Sequence, residues 1–84
     1  MIYKTSGTCS SSIDLDITPD HVIQDVIFTG GCNGNLQGVS RLVKGRKAEE
    51  VAELLEGTTC GFKNTSCPDQ LAKAIRSALA QMEA

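Results

Sequence analysis

The chain has 84 residues, 40% of them apolar, and a formal net charge of −2. That length supports one small core and excludes a second domain, while the acidic balance argues against a general nucleic-acid binder, which presents a strongly basic face. With two Phe, one Tyr and no Trp, the core has few large anchors, so a further staple is expected.

In chain order, residues 2–5 (IYKT) predict a short strand, joined through Ser6-Gly7-Thr8-Cys9 to residues 11–18 (SSIDLDIT). There Ile13, Leu15 and Ile17 alternate with Asp14 and Asp16, the period of a strand with one face in the core and one in water. Thr18-Pro19-Asp20-His21 reads as a turn, because proline presets φ and an Asp side chain can bond nearby backbone. The β-branched run 22–29 (VIQDVIFT) completes a hairpin.

After Gly30-Gly31-Cys32 the period lengthens. Leu36, Val39 and Val43, with Leu42 widening the stripe, predict a first helix that stops at Gly45. Residues 47–56 predict a second, with Ala48, Val51, Leu54 and Leu55 on its apolar face and Gly57 ending it. Leu71, Ile75, Ala78, Leu79 and Met82 mark a third that begins near Cys67, with Lys73 and Arg76 facing out. Strands followed by helices imply an α+β fold, a three-stranded antiparallel sheet followed by three helices packed on one face. The basic run 41–47 (RLVKGRK) reads as a solvated helix end and loop.

This order also says where the four cysteines go. If successive elements run up and down with short connections, Cys9 and Cys32 fall at one end of the sheet, and Cys60 and Cys67 lie in the connection to the third helix at that same end. Four thiolates suit tetrahedral zinc or an iron–sulfur cluster, soft metals that sulfur prefers. The spacing alone is weak, since the nearest pair, Cys60 and Cys67, is C-x6-C. A redox dithiol formed by Cys60 and Cys67, or buried inert thiols, are the alternatives.

Locally, Pro68 suits a first helical turn and Ser66 with Asp69 resembles a capping pair, so Cys67 opens a helix. The amide-rich, positive end of that helix favours a thiolate there, and Cys32 has a similar place at the first helix. Gly30, Gly31 and Gly34 permit positive φ and close approach of amides to a cluster sulfur or an anion. A phosphate cradle is the competing explanation, but no Lys-Ser or Lys-Thr follows as in a P-loop. His21 falls in the turn at the opposite end. Asp14, Asp16 and Asp25 read as solvated strand charges rather than a catalytic carboxylate pair. The N-terminal MIYKTSGTCSSS has no basic region followed by an apolar stretch, so no signal peptide and a cytoplasmic, reducing location are expected.

Cys9, Gly30-Gly31-Cys32-Asn33-Gly34, Gly38, Gly45, Lys47, Cys60-Gly61 and Thr65-Ser66-Cys67-Pro68-Asp69 together resemble the small TSCPD-domain family, which is named for the last of these motifs. The family is similar to the C-terminal domain of cobalamin-dependent ribonucleoside-diphosphate reductases. That resemblance implies an oxidoreductase label in deoxyribonucleotide and hence DNA synthesis. A chain of 84 residues cannot hold a radical barrel with a cobalamin site, so the implied role is an accessory module, not catalysis alone. More distantly, residues 22–80 are similar in layout to U-type iron–sulfur scaffold proteins, with Cys9, Cys32 and Cys67 matching the three scaffold cysteines. Ser66 stands where that family has histidine, Ser10 where it has aspartate, and Cys60-Gly61-Phe62-Lys63 replaces its proline-rich segment. A fourth thiolate from Cys60 implies a closed, more structural site than a donor scaffold has.

The expectation is a single four-cysteine domain over residues 1–84 in which Cys9, Cys32, Cys60 and Cys67 bind zinc or an iron–sulfur cluster. Its expected partner is a ribonucleotide reductase-type enzyme or another protein, with neither membrane nor nucleic acid among its partners.

Overall fold

The computed structural model describes residues 1–8, 10–31, 33–59 and 65–83. Strands β1 (Ile2–Lys4), β2 (Ser10–Ile17) and β3 (Ile23–Gly30) precede helices α1 (Asn33–Val43), α2 (Ala48–Leu55) and α3 (Cys67–Glu83). The sheet order is β1-β2-β3 and both pairings are antiparallel. The chain is thus an α+β fold of three antiparallel strands followed by three helices, as the change of hydrophobic period predicts.

The β2–β3 hairpin closes through a three-residue loop, Pro19-Asp20-His21. His21 N–H donates to Thr18 O at 2.9 Å and Thr18 N–H to Val22 O at 2.8 Å, with His21 at φ 65°. This is a type I turn followed by a left-handed residue. The side chain that closes it is Thr18, whose Oγ1 accepts from Val22 N–H at 3.1 Å, and not the expected Asp20. Above the turn the register slips between Asp16 and Ile17. That irregularity lets both Ile23 and Val26 face the core, although their spacing breaks strict alternation, and leaves Ile17 only half-buried.

On the covered face, Leu15 pairs with Val26 and Ile13 with Phe28. Ile13, Leu15 and Ile23 meet Leu71 and Ile75 of α3 in one cluster that includes Val43, Val51 and five alanines. Ala48, Ala52, Ala72 and Ala74 are fully buried. Small side chains there let α2 and α3 approach closely, and of these four only Ala48 is marked by the apolar pattern.

Three apolar residues depart from their expected burial: Leu42 is 71% exposed, Leu54 66% and Met82 40%. The cause is helix pairing. α1 packs mainly on β3, while α2 packs mainly on α3. The sides of α1 and α2 that turn toward each other are therefore left as a shallow groove lined by Val39, Leu42, Leu54 and Leu55. Met82 sits in the last turn of α3, next to a surface recess at Leu15 and Ile17.

The path runs up and down as expected. Gly45 N–H donates to Ile23 O and Ile23 N–H to Arg46 O, which puts the α1–α2 connection beside the start of β3. Gly45 and Gly57, at φ 83° and 80°, end α1 and α2 with the left-handed backbone that follows a helix. No helix among the described residues is long and apolar enough to cross a membrane.

Candidate functional site at the start of helix α3

The site is built from the Thr65–Gln70 stretch upward. Ser66 caps α3: its Oγ accepts from Asp69 N–H at 3.1 Å, and Gln70 N–H donates to Ser66 O at 2.8 Å. Cys67 is the first helical residue and is buried. Its Sγ lies 3.2 Å from Ser10 Oγ, at the first residue of β2.

Asp69 does more than the expected half of a capping pair. Its buried carboxylate accepts from Gly57 N–H at 2.8 Å through Oδ1 and from the Thr65 hydroxyl through Oδ2, with Lys73 Nζ 3.7 Å away. The Thr65 hydroxyl foremost, then the Gly57 amide, hold its pKa below the usual carboxylate range, against desolvation that pulls the other way. Gln70 uses both ends of its amide: Oε1 accepts from Ser6 N–H at 3.1 Å and Nε2 donates to Thr65 Oγ1 at 3.0 Å. Ser66 Oγ also donates to Thr58 O at 2.7 Å.

Ser10, Thr65, Ser66, Asp69 and Gln70 are the buried polar residues among those described, and all lie at this end. None of their buried side-chain polar atoms lacks a partner. Sequence reasoning singles out Ser66, Cys67 and Asp69 but misses Ser10, Thr65 and Gln70 as a connected set. The available signal is the packing of three polar residues, at 65, 66 and 69, around a helix start, with a fourth directly before the apolar Leu71.

Of the four expected ligands, Cys67 lies within the described residues. Cys9, Cys32 and Cys60 lie outside them. The described neighbours of those three can still be followed. Ser10, next to Cys9, touches Cys67 and pairs across the sheet with Gly30, two residues before Cys32; Thr58, two before Cys60, is bonded to Ser66. Among the described residues no group of three or more His, Cys, Asp or Glu is arranged to hold a metal. Gly30 and Gly31 have positive φ (78° and 81°), as expected, whereas Gly34 lies within α1 and is not among the positive-φ glycines.

At the opposite end His21 is half-buried in its turn, with Nδ1 hydrogen-bonded to Glu49 Oε2. Asp14 and Asp16 stand on the uncovered face, 3.6 and 3.8 Å from the N-terminal ammonium, and Asp25 faces Lys44 at 3.6 Å.

The model of the TSCPD domain matches residues 1–79. The chain belongs to the TSCPD-domain family. Its Thr65-Ser66-Cys67-Pro68-Asp69 run is therefore a family motif seated in a specific piece of structure: a capped helix start whose threonine, serine and aspartate side chains all bond outside or across the first turn. Among curated proteins and solved structures, nothing matches the chain.

Proposed function

We propose that this TSCPD domain is a four-cysteine metal-binding module in which Cys9, Cys32, Cys60 and Cys67 bind one zinc ion or one iron–sulfur cluster. It would serve a ribonucleoside-diphosphate reductase-type enzyme in deoxyribonucleotide synthesis as an accessory protein. The observation that supports the metal reading is a chain of contacts around Cys67 that reaches residues one or two positions from each of the other three cysteines: Ser10 touches Cys67, Gly30 pairs with Ser10, and Thr58 is bonded to the adjacent Ser66. A sulfur donor set is soft, which favours zinc or iron over calcium or magnesium. Zinc held by four thiolates supplies structural closure, whereas an iron–sulfur cluster supplies one-electron chemistry. The reductase connection follows from the family resemblance and is a claim about partnership.

Elemental analysis with thiol counting on anaerobically purified protein tests the metal reading. One equivalent of zinc, or iron with matching sulfide, and thiols that react only after denaturation are expected, and Cys67→Ser is expected to lose the metal. Four titratable thiols with no metal would overturn it in favour of a Cys60–Cys67 dithiol. The position of Cys67 at the first turn of α3 suits that second chemistry too, because amides at a helix start favour a thiolate. The partnership is tested separately, by co-elution of the chain with a reductase-type enzyme in gel filtration; independent elution at micromolar concentrations removes it.

A further inference from the structure

Metal sites in small domains are often assembled by the metal, which then supplies the folding free energy. This end of the molecule carries a different signature. Four of its buried polar residues, Thr65, Ser66, Asp69 and Gln70, form a continuous hydrogen-bonded set, and the set reaches out to two other segments of the chain. One contact is Asp69 Oδ1 to Gly57 N–H, three residues before Cys60. The other is Gln70 Oε1 to Ser6 N–H, three residues before Cys9. Thr65 sits between them, donating to Asp69 and accepting from Gln70.

Packing repeats the pattern. Gly7 has φ +75°, and a Cβ there would lie 3.1 Å from Thr65 Cγ2, so the 6–8 segment is pressed onto the same residue. A flexible loop merely passing by would not need a left-handed glycine at van der Waals distance.

We infer that Asp69 and Gln70 are positioning residues that fasten the segments leading to Cys60 and Cys9 onto the start of α3 before any ligand binds. This rests on the four-cysteine reading only for what the fastened segments deliver; the fastening itself is a property of the polypeptide. The physical case is one of satisfied demand. A buried carboxylate and a buried amide must find partners or pay desolvation, and here the partners found are backbone amides at fixed positions in two other segments. Both acceptors are side chains of one rigid helical turn, so two segments distant in sequence share a single reference frame. A ligand then meets an end already arranged, and its binding free energy is not spent ordering loops.

Amide hydrogen exchange on the reduced, metal-free full chain tests this. Gly57 and Ser6 N–H are expected to exchange at least tenfold more slowly than unstructured amides. Asp69→Ala is expected to release Gly57 and Gln70→Ala to release Ser6, each leaving the other amide protected. Asp69→Asn, which keeps an acceptor oxygen, is expected to retain protection of Gly57. Unstructured exchange of both amides in metal-free wild type, with protection appearing only on adding zinc, would overturn the inference, and this measurement decides even if an alanine variant fails to fold. If the wild type binds zinc, Gln70→Ala is expected to weaken binding by about 10- to 100-fold, the usual effect of losing a partner that orients ligands. Unchanged affinity would overturn the positioning role. A wild type that binds neither zinc nor, after anaerobic reconstitution with iron and sulfide, a cluster, yet keeps both amides protected, would defeat the metal reading while leaving the fastening intact.

Discussion

Asp69 concentrates much of the local chemistry in one side chain. Its carboxylate is buried, charged and bonded to a hydroxyl and an amide, so its folded pKa lies below its unfolded one. The stability it contributes is therefore fully present above the ordinary carboxylate range near pH 4 and is lost as pH falls through the lower folded value. Asp69→Asn is expected to cost about 1–3 kcal/mol at pH 7, the range for disturbing a buried, partnered polar group. Its urea midpoint is also expected to fall less than that of wild type between pH 5 and pH 2.5, by denaturation of the metal-free protein. A variant with the same acid slope as wild type would show that another carboxylate dominates. At this scale the sequence was legible where effects are local. Ser66 and Pro68 mark the helix start through contacts within one turn, whereas the partner of Asp69 Oδ1 is twelve residues away and depends on where α2 ends.

At the scale of elements, periodicity identified β2 and the three helices among the described residues, and the three misplaced residues show its limit. Leu42 and Leu54 lie on apolar stripes as the sequence requires. How much of a stripe is covered depends on which neighbour each helix chooses, and α1 and α2 choose β3 and α3 rather than each other. Substitution separates the two situations. Ile75→Ala, at a fully buried position facing the sheet, is expected to cost about 2–5 kcal/mol, and Leu42→Ser to stay within about 0.5 kcal/mol of wild type. Denaturant midpoints at constant m-value decide both. Gly45→Ala places a Cβ on a residue at φ 83° with open space around it, so the cost is backbone strain alone, about 1–2 kcal/mol.

For the whole molecule, the up-and-down path was legible because short connections and antiparallel order leave few alternatives. The polar set at the start of α3 was not, since it joins residues from three separate segments. If the cysteines hold a metal as proposed, a domain with its own apolar core and its own polar fastening is expected to survive its removal: chelation would lower the thermal midpoint but leave far-UV circular dichroism below the transition unchanged. The loss of stabilisation follows mass action, about 4 kcal/mol for a ligand held at 1,000 times its dissociation constant. Collapse of the dichroism on chelation at low temperature would assign the fold to the metal instead.

The connection between α1 and α2 has a bearing on colloidal behaviour. Gly45, Arg46 and Lys47 lie along the lower part of β3, exchanging hydrogen bonds with Ile23 and bridging to Val22, and the Asp25 carboxylate occupies the Val26 amide. A three-stranded sheet has two edges on which a neighbouring chain could template, and a fibril needs one that is long and open. Here the longer edge is partly occupied by the chain's own backbone, in a segment that carries the charged Lys44, Arg46 and Lys47, the first two paired with Asp25 and Glu50. The other edge is β1, only three residues long. Resistance to edge-to-edge stacking is thus written into a helix–helix connection, beside the start of β3 rather than at Cys67 and the start of α3, and leaves the α3 end unencumbered by the demands of solubility.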